Sequence, residues 1–146
     1  MKWTKVAIGC DHAGFELKEI LKKYIQEKHI EVEDFGTNSS ESVDYADYAH
    51  PLANSVEKGE NQIGFTICGS GNGINMTINK HQGIRGALCW TPEISRLARL
   101  HNDANICSLP GRFVSEEVAK EIVDLFLITE FEGGRHLNRI NKISCK

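Results

Sequence analysis

The 146-residue sequence lacks any apolar run long enough to cross a bilayer, because charged or polar residues interrupt every such run. Its first residues also lack the apolar stretch that a signal peptide needs. Seventeen Lys and Arg against twenty Asp and Glu give a net charge of -3, so there is no overall basic field to hold a nucleic acid or an anionic membrane. We therefore expect a cytoplasmic protein without nucleic-acid or membrane partners, in which any anion site is local.

Paired cysteines are also missing. The five cysteines are an odd number, and no two of them form a CxxC pair. Four of them lie in or beside apolar runs, which is typical of buried free thiols, so a disulfide framework is not expected. No structural metal site is expected either, because Cys10 and His12 have no second pair of ligands at a matching distance.

Short apolar runs alternate with longer amphipathic runs along the whole chain. The pattern begins with VAIGC before FELKEILKKYIQEKH and ends with ANICSLPG before SEEVAKEIVDLFLIT. It predicts five strands and about five helices, and strands that are separated by helices are parallel. Right-handed crossovers then give an α/β fold with a three-layer α/β/α, doubly wound, Rossmann-like sheet, for which we expect the strand order 2-1-3-4-5.

The length favours a single domain over residues 1–146. Its core should cover about residues 1–130, and a basic C-terminal extension with a short helix should cover about residues 131–146. In the first helix, apolar residues recur at helical spacing, which predicts one buried face. The charged residues of that helix, Lys18 among them, are expected to form a solvated surface.

In this topology the first and third strands are neighbours whose following helices leave on opposite faces, so a crevice opens at their carboxyl ends. Residues 9–14 and 68–73 line it. The second loop, CGSGNG, follows a strand and opens a helix, so its backbone N–H groups can cradle an anion or oxyanion. It lacks the glycine spacing of a dinucleotide fingerprint and the lysine of a Walker loop. A tight turn made for packing is the alternative explanation.

Cys68 is the residue that favours chemistry in this loop. A thiol beside a helix N-terminus and glycine amides is activated as a thiolate, so it can act as a base or a nucleophile. An inert cysteine at a strand end is the alternative, and placement alone leaves both open. Asp11 and His12 follow the first strand, next to Cys68, where two ionisable side chains favour function over packing. The structural alternative is that Asp11 caps the first helix.

Polar residues elsewhere in the chain could join this crevice. His101 and Asn102 end the fourth helix in ARLHNDAN, where a polar helix stop explains them equally well. Arg135 and Arg139 stand four residues apart, so they share one helical face and can grip a phosphate. A solvated basic tail is the alternative for these two. Arg112, just beyond the fifth strand, lies at the same edge as Cys68.

Six stretches span nearly the whole chain in a characteristic order: GCDHAGF, DYADYA, ICGSGNG, NKHQGIRGALC, ARLHNDAN and EGGRHLNR. Together they resemble the family of ribose-5-phosphate isomerase type B and the galactose-6-phosphate isomerase subunits. The resemblance implies that ribose 5-phosphate and ribulose 5-phosphate interconvert through an enediolate, without metal or other cofactor. Isomerisation of allose 6-phosphate or galactose 6-phosphate remains open, and a non-catalytic sugar-phosphate-binding module is a further alternative.

The resemblance also implies roles for individual residues. Cys68 would be the catalytic base, Ser70 would relay the hydroxyl proton, and His101, helped by Asp11, would open the furanose ring. Some members use a glutamate at the position of Asn75, so this chain is of the cysteine type. The implied contacts with the sugar come from Asp11, His12, Tyr45, Gly69, Ser70, Gly71, Asn72, Gly73 and Asn102. The implied contacts with the phosphate come from His12, Arg112, Arg135 and Arg139.

Chain direction predicts that two subunits share this site. The helix that ends near His101 starts at the carboxyl end of the fourth strand, and its ten residues carry His101 about 15 Å toward the amino edge of the sheet. Cys68 lies at the opposite edge. If His101 acts beside Cys68, a neighbouring chain supplies it, and a closed two-fold homodimer holds two sites. Pairing of dimers into a tetramer is left open, as is ring opening by Asp11 and His12 within one chain.

Overall fold

The structure is a computed structural model that describes residues 2–145. Its strands are β1 (Lys5–Cys10), β2 (Glu31–Asp34), β3 (Ile63–Cys68), β4 (Gly86–Leu88) and β5 (Ile106–Pro110). Its α-helices are α1 (Phe15–Gln26), α2 (Tyr45–Glu57), α3 (Asn72–Ile78), α4 (Pro92–Asn102), α5 (Glu116–Ile128) and α6 (Arg135–Ile140). A 3-10 helix, His12–Gly14, precedes α1. Within residues 2–145, no helix has the length and apolar character that crossing a membrane requires.

Local sequence signals set where α4 and α5 begin. The Thr91 hydroxyl accepts a hydrogen bond from the backbone N–H of Ile94 at 3.2 Å, and Pro92 takes the first position of α4. The Ser115 hydroxyl accepts from the backbone N–H of Val118 at 3.1 Å in the same way. Thr91 and Ser115 are therefore the N-cap residues of α4 and α5.

All five strands are parallel, and their order is β2-β1-β3-β5-β4. The doubly wound α/β fold and the neighbouring β1 and β3 are confirmed, but the predicted order 2-1-3-4-5 is wrong in its last two strands. The reason is burial: every residue of β5 is buried, whereas β4 has three residues that are all partly exposed. A strand that is buried along its whole length needs neighbours on both sides, so β5 lies inside the sheet and β4 forms the edge.

This order moves α4 to the opposite face of the sheet. A right-handed crossover that returns from β4 to β5 puts α4 on the same face as α1 and α5. There Leu21, Ala98 and Ile122 belong to one core cluster. Helices α2 and α3 cover the other face, where Leu52 and Ile74 belong to a second cluster. The helices that follow β1 and β3 thus leave on opposite faces, as the crevice requires.

Lys18 shows that the predicted solvation of the charges on α1 is wrong at one position. Its side chain is fully buried. Its ammonium lies 2.9 and 2.8 Å from the two carboxylate oxygens of Asp34 and donates to the Thr37 carbonyl at 2.7 Å. These partners compensate the desolvation of the charge. The sequence spacing already indicated this burial, because Lys18 precedes the buried Leu21 and Ile25 by three and seven residues and so lies on the same helical face.

The C-terminal extension is docked on the end of α4. The backbone N–H of Glu132 donates to the Leu100 carbonyl at 2.9 Å, and α6 packs against α4. Ile140 is buried, whereas Arg135 and Arg139 are exposed. The predicted short basic helix is therefore present as α6, and it presents its arginines at the amino edge of the sheet.

Candidate active site

The carboxyl ends of β1 and β3 meet at one edge of the sheet. Cys10 pairs with Ile67, and the backbone N–H of Asp11 donates to the Ile67 carbonyl at 3.2 Å. Cys68, the last residue of β3, follows directly and is 4% exposed. Asp11 and Cys68 therefore lie on adjacent strand ends, where the topology predicted them.

The loop from Gly69 to Gly73 carries the chain from Cys68 into α3. Gly71 has a φ of 80°, a left-handed conformation that glycine adopts without a steric cost. A Cβ at Gly71 would also overlap the Leu88 side chain, so a larger residue there would have to displace Leu88. The Ser70 hydroxyl accepts a hydrogen bond from the backbone N–H of Asn72 at 3.2 Å, which helps to hold the turn.

Two further predicted site residues lie against this loop. A Cβ at Gly73 would overlap the ring of Tyr45, which begins α2. A Cβ at Gly69 would lie 3.1 Å from the Arg112 Nη1, and the backbone N–H of Arg112 donates to the Gly69 carbonyl at 3.0 Å. The absence of side chains at these two glycines thus lets an aromatic hydroxyl and a guanidinium approach the loop from opposite ends.

Asp11 and His12 are oriented by backbone groups. The Asp11 Oδ1 accepts from the N–H of Gly14 at 3.2 Å, so Asp11 caps the 3-10 helix with one of its two oxygens. The His12 Nδ1 accepts from the N–H of Val43 at 3.1 Å. A neutral His12 therefore carries its ring proton on Nε2, which makes Nε2 the hydrogen-bond donor of this side chain.

Two other buried cysteines, Cys10 and Cys107, are held as neutral thiols. Burial raises the pKa of Cys10 to about 12, although the Lys18 ammonium opposes the shift. Burial and the adjacent Cys89 thiol raise the pKa of Cys107 as well. The interpretation of these cysteines, from the sequence, as buried free thiols is therefore confirmed. Cys68 differs in position, since it ends its strand beside the glycine loop.

A row of buried polar groups links the strands to α3 near the loop. The hydroxyls of Thr66 and Ser108 are 2.7 Å apart, and Ser108 donates to the Asn75 Oδ1 at 3.0 Å. Thr66 and Ser108 are fully buried. The row fixes the side-chain amide of Asn75 against the sheet, and neither hydroxyl was recognised in the sequence.

Four predicted site residues lie at the other edge of the sheet: His101, Asn102, Arg135 and Arg139. Helix α4 ends at Asn102, just before β5 begins at Ile106, which pairs with Gly64. Cys68 pairs with Pro110 at the opposite end of the same ladder. Gly64 to Cys68 covers about 13 Å at about 3.3 Å per residue. One chain therefore does not bring these four residues together with Cys68.

Two residues that the sequence analysis missed accompany His101. Its ring stacks on the ring of His136, with centroids 4.4 Å apart and planes 15° apart. The Glu132 Oε1 lies 3.3 Å from the His136 Nε2 and 3.9 Å from the His101 Nε2. The available signal was the spacing of Glu132 and His136, four residues apart in EGGRHLNR.

The chain matches known proteins over nearly all of its length. A family model described as Ribose/Galactose Isomerase matches residues 6–143. Ribose-5-phosphate isomerase B of Escherichia coli strain K12 is 45% identical over 141 residues, which are 97% of this chain and 95% of that protein.

Solved structures match equally well. A ribose 5-phosphate isomerase of Thermotoga maritima is 53% identical, with 97% of both chains covered and a TM-score of 0.95. Ribose-5-phosphate isomerase B of Mycoplasma genitalium, solved with bound ribulose 5-phosphate, is 39% identical, with 96% of this chain and 93% of that chain covered and a TM-score of 0.92. The resemblance that the six sequence stretches indicate is therefore confirmed.

Proposed function

The chain belongs to the ribose/galactose isomerase family, and on that basis we propose that it interconverts ribose 5-phosphate and ribulose 5-phosphate. The observation that carries the proposal is the placement of Cys68 at the end of β3, directly before the glycine loop and beside Asp11. The E. coli relative is a ribose-5-phosphate isomerase B by name, and the M. genitalium relative binds ribulose 5-phosphate, which supports the five-carbon substrate.

In this proposal Cys68 is the base. Its thiolate removes the proton from C2 of the open-chain aldose, the electron pair of that C–H bond enters the enediolate, and the thiol then returns the proton to C1. The loop amides from Gly69 to Gly73 donate hydrogen bonds to the developing oxyanion. Ser70 passes the hydroxyl proton from O2 to O1, so that the atoms balance. This proton transfer requires no redox cofactor.

The phosphate is bound by cationic groups that two subunits supply, because within one chain these groups lie at opposite edges of the sheet. His12 and Arg112 belong to the edge with Cys68, and Arg112 lies across Gly69. Arg135 and Arg139 are exposed on α6 at the other edge. A phosphate that is held by several guanidinium groups anchors the substrate while its far end reacts.

We further propose that the site is shared between two subunits of a homodimer. His101 and Asn102 lie on the far edge of their own sheet, so the partner of a two-fold dimer has to supply them to Cys68. There His101, with Asp11, opens the furanose ring, and Asn102 and Tyr45 contact the sugar. A closed dimer holds two such sites.

The family description names galactose as well as ribose, so a six-carbon sugar phosphate is the second candidate substrate. Turnover of ribose 5-phosphate, allose 6-phosphate and galactose 6-phosphate by the purified protein, without added metal, decides between them. We expect kcat/KM to be about tenfold or more higher for ribose 5-phosphate, because a pocket that fits one chain length discriminates by about this factor. A higher value for a six-carbon substrate would replace ribose 5-phosphate, and turnover of none would leave a binding module.

A further inference from the structure

Three metal-binding atoms lie close together at the amino edge of the sheet. The Glu132 Oε1 and the Nε2 atoms of His101 and His136 come from two segments of the chain, and the ligand atoms lie within 4.8 Å of one another. Ligand atoms around a tetrahedral zinc ion with bonds of about 2.0 to 2.1 Å are separated by about 3.4 Å. The 3.3 Å between Glu132 and His136 already has this value, and the 3.9 Å between Glu132 and His101 is close to it.

The His136 Nε2 provides independent evidence for a ligand. His136 is 7% exposed, and its Nε2 is buried without a hydrogen-bond partner among residues 2–145. The Glu132 carboxylate is 3.3 Å from this atom, but the contact lacks hydrogen-bond geometry. Burying an imidazole nitrogen without a hydrogen-bond partner costs folding free energy. The lone pair of such a nitrogen is what binds a metal ion.

The other two side chains leave the cluster open to solvent. In the single chain His101 is 39% exposed and Glu132 is 52% exposed, and in the proposed dimer the opening between them faces the substrate site, so an ion reaches His136 by the route that the substrate takes. The two stacked rings are nearly parallel, and an imidazole nitrogen binds a metal in the plane of its own ring, so one ion cannot lie in both ring planes as they stand. For both to bind one ion, a ring must rotate, and His101 in the last turn of α4 is the less confined of the two, because its side chain is 39% exposed and that of His136 is 9% exposed.

We propose that His101, Glu132 and His136 bind one transition-metal ion of the zinc class. Two imidazoles and one carboxylate suit Zn²⁺, Co²⁺ or Ni²⁺, whereas Mg²⁺ and Ca²⁺ require mainly oxygen ligands. Three protein ligands leave a fourth position for water. The ion is a modulator and not a cofactor of the isomerisation. Its effect on activity rests on the proposed function, because an ion bound to His101 occupies the group that opens the sugar ring.

Binding can be measured on the full-length protein after removal of metals with a chelator. Isothermal titration calorimetry with Zn²⁺ should give one ion per chain, and Co²⁺ should give the visible absorption of a tetrahedral complex. His136→Ala and Glu132→Gln should each weaken binding at least tenfold, about 1.4 kcal/mol. Glu132→Gln changes an exposed side chain, which keeps the test valid if His136→Ala folds poorly.

His81→Ala is the matched control, because His81 also lies beside a second histidine and a glutamate. It is 2.8 Å from His50 and 3.5 Å from Glu57. The affinity of the His81→Ala protein for Zn²⁺ should equal that of the wild type. No binding, or binding that is the same in the His136 and Glu132 variants, would overturn the site.

Activity separates this proposal from the proposed function. Zn²⁺ should inhibit turnover of ribose 5-phosphate by the wild type, and His136→Ala should require at least tenfold more Zn²⁺ for the same fractional inhibition. Binding that depends on His136 without any inhibition supports the metal site and contradicts the role of His101 in ring opening. Inhibition that is identical in wild type and His136→Ala places the inhibitory ion elsewhere. It would overturn the proposal that the ion at His101, Glu132 and His136 modulates activity.

Discussion

Cys68 and His101 lie at opposite edges of the same sheet. Cys68 pairs with Pro110 at the carboxyl end of the ladder between β3 and β5, whereas His101 precedes Ile106, where that ladder begins. The helix that carries His101 runs antiparallel to the strands, so nothing in one chain shortens this separation. The distance is the reason for the shared site that we propose.

Mixing two inactive variants tests that proposal. Cys68→Ala and His101→Ala proteins should regain activity when they are dissociated and reassociated together. Each mixed dimer then contains one site with both substitutions and one with neither, so random pairing restores about a quarter of the wild-type activity. Subunit exchange is verified separately with a tagged chain. Continued inactivity after proven exchange would contradict sites shared between subunits.

Replacing Cys68 should remove catalysis and preserve binding. Cys68→Ser should lower kcat by a factor on the order of 1,000 with little change in the affinity for the phosphosugar, because a general base acts mainly in the transition state. Steady-state kinetics and equilibrium binding measure the two effects. Activity within about tenfold of wild type, about 1.4 kcal/mol, would show that Cys68 is not the base.

Alkylation gives a second test of Cys68. Cys145 is an exposed thiol, so the experiment uses a Cys145→Ser background to remove its reaction. Iodoacetamide should inactivate this protein, and ribose 5-phosphate should slow the inactivation. Mass spectrometry should find the label on Cys68. Inactivation with the label on another cysteine would show that Cys68 is not the reactive thiol of the active site.

Arg135 and Arg139 should act through the phosphate. Changing either to Ala should lower kcat/KM for ribose 5-phosphate by about 10- to 100-fold, the range for losing a hydrogen bond to a charged group. Turnover of free ribose should change little, so the preference for the phosphorylated sugar shrinks. Arg96→Ala is the control, because Arg96 is paired with Glu93 at 2.7 Å. An equal effect at Arg96 would refute a specific phosphate contact on α6.

Asp34 should make stability depend on pH in acid. Burial alone would raise the pKa of Asp34, but hydrogen bonds from Lys18, Lys22 and the Gly36 N–H outweigh it and lower the pKa below the usual 3.8. A carboxyl with a lowered folded-state pKa stabilises the fold fully above the unfolded value, and the stabilisation is lost as the pH falls through the folded value.

Asp34→Asn should therefore lower the free energy of unfolding at pH 7 by about 3 kcal/mol, as expected when one partner of a largely buried ion pair is removed. The difference from wild type should shrink as the pH falls below about 3.8. Urea unfolding at several pH values measures it, with the exposed Glu121→Gln as control. A difference that stays constant down to pH 2 would disagree with this account.

Much of the fold and half of the site follow from short-range patterns. Alternating apolar and amphipathic runs predict the parallel α/β sheet, because each run needs only its own periodicity to define a strand or a helix. Thr91 and Ser115 act on helix starts within three residues. Asp11 and Cys68 could be placed together because parallel strands end at one edge.

The remainder depends on contacts between residues far apart in the sequence, which only the tertiary structure decides. Whether β4 or β5 takes the inner position depends on which of the two is more deeply buried. This is a comparison between two strands in the folded sheet, and the sequence of one strand does not define it. Lys18 is buried because Asp34, sixteen residues later, supplies the opposite charge. His101 meets His136 because the extension folds back onto α4, a packing event that local periodicity does not encode.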